Sequence, residues 1–122
     1  MRIGNDLVLI SRISRLTNNE AFLDKIFHST ELEYCRARGV GFEASLAARF
    51  AVKEAFGKAL GTGILAEGVS PKEIWVQNEA NGRPILQLSP ALCERVNGLG
   101  FTGWEVSISH QGEYALASVI LF

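Results

Sequence analysis

The stretch from Phe42 to Gly63 constrains the fold more than any other part of the chain. Ala47, Ala48, Ala51, Ala55 and Ala59 are strong helix formers of little bulk. Gly61 stands where a left-handed residue ends a helix. The spacing therefore predicts one long helix over 42–60, stopped by glycine. Phe50, Glu54 and Lys58 are four apart and share a stripe, which Leu46 extends backwards. That stripe begins apolar and ends with a carboxylate and an ammonium. Such a helix leaves a core and delivers two charges to an edge or cleft. The plain alternative is a solvated Glu–Lys pair, worth a few tenths of a kcal/mol.

The remaining 103 or so positions have to cover that helix. With 122 residues, 48% of them hydrophobic and 20% charged, the chain has the makings of one globular domain over 1–122. A net charge of −1 gives no global field that would draw nucleic acid or an anionic membrane, so neither is expected as a partner. Any charge-guided partner must meet a local patch. No apolar run is long enough to span a bilayer, and Arg2 is not followed by a signal region, so a cytoplasmic location is expected. Cys35 and Cys93, even with His28 and His110, lack zinc-ligand spacing and read as free thiols in a reducing compartment.

Residues 2–9 read as a strand, apolar enough at Ile3, Leu7, Val8 and Leu9 for the buried centre of a sheet. Asp6 interrupts it. A buried carboxylate needs a partner or a metal, and a bend beside Gly4 with backbone donors serves equally well. Ser11 can cap a short helix through Leu16 that carries Arg12 and Arg15 three apart. A second helix is expected from Asn19 to Phe27, and a third starts at Thr30 with Glu33 completing a capping box. After the long helix, Gly61 to Ile64 and Glu67-Gly68 read as a loop, and Ser70-Pro71-Lys72-Glu73 as a single turn. Strands over 74–77 and 84–88 flank an Asn81-Gly82 hairpin turn, and Ser89-Pro90 opens a last helix ending near Gly98 or Gly100. The C-terminal part is a hairpin. In its first strand Trp104, Val106, Ile108 and His110 share one face, and Glu105, Ser107 and Ser109 the other.

Three segments together resemble the phosphopantetheinyl transferases, and in particular the small bacterial holo-acyl-carrier-protein synthase family. They are Ile3-Gly4-Asn5-Asp6-Leu7-Val8, then Lys53-Glu54-Ala55 with Lys58-Ala59 and Gly61-Thr62-Gly63, then Val106-Ser107-Ile108-Ser109-His110. The resemblance implies an α/β domain of α+β type, with a small antiparallel sheet packed on the long helix. It implies transfer of 4′-phosphopantetheine from coenzyme A to a serine of apo acyl carrier protein, releasing 3′,5′-ADP in support of fatty acid biosynthesis. Asp6 and Glu54 match the family's metal-binding carboxylates, for magnesium or else manganese. Glu54 and Lys58 are the catalytic candidates. Lys53, Lys58, Gly61, Arg83, Ser109 and His110 are the candidates for contact with coenzyme A. Arg12 and Arg15 are candidates for docking the acidic carrier protein. The family forms homotrimers with active sites between protomers.

Each candidate has a plainer reading: an exposed basic face for Arg12 and Arg15, a hairpin cap for His110, a helix stop for Gly61. The general base stays open. Two positions depart from the family pattern: Leu9, where a glutamate is usual, and Glu105, where a histidine is usual. If the first and penultimate strands were neighbours, Glu105 could supply the acid missing at position 9. A coenzyme A or carrier-protein binding module without turnover is the alternative to the enzyme.

Overall fold

The computed structural model describes residues 1–64 and 69–122. The Glu67-Gly68 part of the expected loop lies outside the described residues. A strand β1 (Arg2–Leu9) leads into short helices α1 (Ile10–Ser14), α2 (Glu20–Ile26) and α3 (Ser29–Arg36), then the long helix α4 (Phe42–Leu60). A two-stranded antiparallel sheet, β2 (Ile74–Asn78) with β3 (Pro84–Leu88), follows. Helix α5 (Pro90–Gly98) and the hairpin β4 (Trp104–Gln111) and β5 (Tyr114–Leu121) complete the chain. The class expected from the sequence, a small antiparallel sheet packed on a long helix, is observed, with the strands divided between two sheets.

Helix α4 runs over the expected residues and ends as expected. Gly61 is left-handed at φ 93° and its N–H donates to Gly57 O. Gly57 itself has no room for a Cβ, which would fall 2.7 Å from the Gly63 carbonyl carbon. The alanines let neighbours approach closely. A Cβ at Gly4 would collide with Ala55 O and sit 2.8 Å from Ala59 N, so β1 and α4 meet there backbone to backbone.

The large sheet has the order β1-β5-β4. This corrects the expectation of a central first strand. β5 takes the centre, and its Ala115, Ala117, Val119 and Leu121 are buried under α4. β1 is an edge. Its Gly4, Asp6 and Val8 face α4, whereas Ile3 and Leu7 are 62% and 61% exposed on the opposite face. An apolar run was misleading because one of its two faces is uncovered in a single chain.

Two helix starts also differ. α1 begins without a side-chain cap after Leu9. α3 is capped by His28, whose Nδ1 accepts from Thr30 N, with Glu31 closing the box by accepting from His28 N at 3.1 Å. Thr30 and Glu33 fit the sequence pattern, but the chain enters the helix two residues earlier. Glu31 is thereby turned inward, where it has a buried partner.

Candidate active site

Asp6 lies two residues beyond the Gly4 contact, on the face of β1 that α4 covers. It therefore meets the end of the α4 stripe. Lys58 Nζ donates to Asp6 Oδ1 and to Asn5 O, both at 2.9 Å. The lysine side chain is 56% exposed and the aspartate only 15%. Glu54 stands one turn back along the helix and is half-buried. Burial pushes its carboxyl above the usual glutamate range, and the negative charge of Asp6 pushes the same way; Lys58 and Arg12 pull it down. Two carboxylates are thus held within repelling distance, with Lys58 spent on one of them. The Arg12 guanidinium lies over the Phe50 ring at 5.8 Å, at the same flank of α4. Arg15 is exposed and turns back on its own helix, its Nε donating to Ser11 O at 3.4 Å.

A second cluster occupies the other flank of α4. Arg49 is 4% exposed, and no carboxylate pairs with it among the described residues. Its Nη1 donates to Ser45 O and Oγ, its Nη2 to Asn78 Oδ1 at 2.6 Å, and its plane lies over Tyr34 at 4.6 Å. Its Nε has no hydrogen-bond partner among the described residues. A buried guanidinium without a counter-ion is costly. It borders a cavity of about 180 Å³, also lined by Arg38, Asn78, Pro84, Ile108 and His110. Among the described residues its wall carries two guanidiniums, an imidazole and no acid, a chemistry that suits an anion. Sequence reading missed Arg49 and Arg38. The signal available was Arg49 in an otherwise alanine-rich helix, four residues before Lys53.

The remaining candidates are spread. His110 lines that cavity, whereas Ser109 points to the other face of the sheet. There it borders a groove of about 420 Å³ with Leu7, His110, Gln111, Tyr114 and Leu116, so His110 touches both spaces. Arg83 is engaged by Glu79 at 3.7 Å and Glu105 at 3.2 Å. Gly61 is explained by the helix cap alone.

Two expectations are overturned. Lys53 is not available to coenzyme A in this fold. It is fully buried and paired with Glu31 Oε1 at 2.7 Å. Burial lowers its ammonium pKa, and the Glu31 charge opposes that. Nor can Glu105 compensate for Leu9 within one chain. β5 separates their strands, with Leu9 opposite Tyr114 at one end and Glu105 opposite Ile120 at the other. Glu105 has Arg83 as its partner instead.

Comparison with known proteins matches this architecture. The family model described as 4′-phosphopantetheinyl transferase superfamily matches residues 2–119. The chain is 46% identical to the holo-[acyl-carrier-protein] synthase of Trichlorobacter lovleyi, covering 98% of this chain and 94% of that one. It is 40% identical to the synthase of Treponema denticola, covering 98% and 95%. Crystal structures of the synthase from Neisseria meningitidis (TM-score 0.89, 36% identity, 99% and 97% covered) and of that from Helicobacter pylori in complex with coenzyme A (0.84, 30%, 98% and 99%) superpose over nearly the whole chain. An edge carboxylate facing a glutamate and a lysine of the long helix, carried on this sheet order and matched over 2–119, makes the chain a member of the 4′-phosphopantetheinyl transferase superfamily, among its holo-acyl-carrier-protein synthases.

Proposed function

We propose that this protein transfers the 4′-phosphopantetheine group from coenzyme A to a serine hydroxyl of an apo acyl carrier protein, and so serves fatty acid biosynthesis in the cytoplasm. The observation that carries the reading is the facing of Asp6 and Glu54 with Lys58 beside them. Their oxygens suit a hard dication that takes one or two protein carboxylates, and a dication relieves the repulsion that holds the Glu54 carboxyl up. Asp6 and Glu54 would hold the magnesium. Bound there, it would neutralise charge on the pyrophosphate whose bond is broken.

The protein's own groups have separable tasks. Lys58 keeps one ammonium proton unspent for a phosphate oxygen, since two of its three donors serve Asn5 and Asp6. Arg49 and Arg38 offer positive charge, and His110 a ring N–H, to the phosphates of the 3′,5′-ADP portion. Gly61 and Ser109 are assigned backbone and hydroxyl contacts, and Arg83 a phosphate contact that requires it to leave Glu105. Arg12 and Arg15 offer guanidiniums to carboxylates of the acidic carrier protein.

We assign a homotrimer as the assembly, and the placement of these groups supports a site shared between protomers. Asp6 belongs to one edge strand and His110 to the other, roughly 10 Å apart across β5. A head-to-tail contact that closes on itself brings one protomer's β1 edge beside the next one's β4 edge. The exposed Ile3, Leu7, Tyr114 and Leu116 supply apolar surface for it.

The reading is tested by the intact mass of an apo acyl carrier protein after incubation with this protein, coenzyme A and magnesium. A gain of one phosphopantetheine, absent with EDTA and with Asp6→Ala, is expected. No gain with several apo carriers and folded protein would overturn it. Mixing Glu54→Ala with His110→Ala protein restores turnover if sites are shared between protomers.

A further inference from the structure

The Lys53–Glu31 pair lies outside both clusters, and the reaction as described makes no use of it. We infer that Glu31, acting through Lys53, is a positioning residue for the Glu54 carboxylate. This inference rests on the reading of Asp6 and Glu54 as the metal-binding acids.

Lys53 Nζ donates to Glu31 Oε1 at 2.7 Å, to Pro71 O at 3.1 Å and to Ile74 O. An ammonium has three donors, so this one is saturated. Glu31 in turn accepts from His28 N and Val76 N, both at 3.1 Å. Four of these bonds, all buried, link the middle of α4 to α3 and β2 and to the turn before it, and the fifth, from His28 N, is part-buried and closes the α3 cap.

Much of the remaining buried surface of α4 is small, although Leu46, Val52, Phe56 and Leu60 pack there too and Arg49 bonds Asn78. Ala47, Ala48, Ala51, Ala55 and Ala59 are buried and smooth. Methyl groups allow close approach, but they resist turning about the helix axis less than a side chain seated in directional bonds. Lys53 and Glu54 are consecutive, so their directions differ by a fixed angle of about 100°. Anchoring one aims the other. A turn of roughly 20° about the axis would move a carboxylate at the helix surface by about 2 Å. A misplacement of that size is enough to cost roughly a hundredfold in rate. A buried ion pair is seldom more stable than an apolar pair of the same volume, so directionality is the property it supplies here.

The test compares wild type, Glu31→Gln and the double variant Glu31→Gln/Lys53→Met. The double variant leaves no buried charge, and its amide still offers an acceptor to the backbone N–H groups. Read out are the urea midpoint, the Kd for Mn2+ with coenzyme A present, and kcat and KM for coenzyme A. The expected result is a double variant with a near wild-type midpoint, an Mn2+ Kd raised about tenfold or more, and a kcat lowered by a similar factor, with KM changed less than about twofold. Wild-type Kd and kcat in the double variant would overturn the inference. Should neither variant fold, hydrogen exchange on wild type decides: saturating Mg2+ should slow the Val76 amide, and an unchanged rate overturns the inference. If wild type itself gives no turnover, or Asp6→Ala leaves the Mn2+ Kd unchanged, it is the underlying reading that fails.

Discussion

Lys53–Glu31 and Lys58–Asp6 are two ion pairs on one helix, five residues apart, with similar separations of 2.7 and 2.9 Å. They differ in what is left over. The first pair is fully buried and every polar atom in it is matched. The second is partly exposed, and among the described residues Glu54 beside Asp6 has no ion pair of its own, only the more distant pull of Lys58 and Arg12. A closed pair has nothing to offer a ligand, whereas an open one with surplus negative charge does. Consecutive residues of one motif, Lys53 and Glu54, thus have opposite fates because a helix turns them about 100° apart.

The comparison can be broken at its open side first. Glu54→Ala should lower turnover by about three orders of magnitude, since stabilisation by a bound metal is worth several kcal/mol. Its urea midpoint should not fall. A folded variant with wild-type kcat would remove Glu54 from the chemistry.

At the closed side the effect moves from activity to stability. Lys53→Met leaves the Glu31 carboxylate buried and alone, which should cost about 3–5 kcal/mol in urea unfolding. A cost below about 1 kcal/mol would mean that the pair is not structurally needed.

Acidity sharpens the contrast. The folded pKa of Glu54 is raised by burial and by Asp6. Any stability from this group is therefore full below the unfolded glutamate value and is lost as pH rises through the folded one. In EDTA at neutral pH, Glu54→Gln should unfold at higher urea than wild type. Magnesium should raise the wild-type midpoint and leave that of the variant unchanged. With magnesium well below saturation, the acid limb of turnover should lie above the usual glutamate pKa of 4.5, because protonated Glu54 would be a poor metal ligand.

The smallest effect belongs to the surface pair of Arg83 and Glu105, both more than half exposed. Glu105→Ala should change stability by no more than about 1 kcal/mol. A larger loss would show that the departure from the family pattern at this position carries structural weight.

Much of this was legible before any coordinates. The limits of α4, the Gly61 stop, the Asn81-Gly82 turn and the Ser89 cap are local events, set by backbone preference and hydrogen bonding within a few residues. The motif residues Asp6, Glu54 and Lys58 were legible through resemblance, and the fold brings them together. What local pattern could not give was partnership. Whether β1 is a centre or an edge depends on β5, more than a hundred residues away. Whether Lys53 meets ligand or core depends on Glu31 turning inward, which followed from a cap at His28 that the Thr30–Glu33 pattern concealed. The charge of Arg49, without a carboxylate partner among the described residues, is buried because α3, β2 and β4 close around it. The sequence by itself determined the helices, the turns and the inventory of charges, because these follow from neighbours along the chain. Only the tertiary structure decided which charges are neutralised and which remain open, because burial and pairing are properties of distance in space.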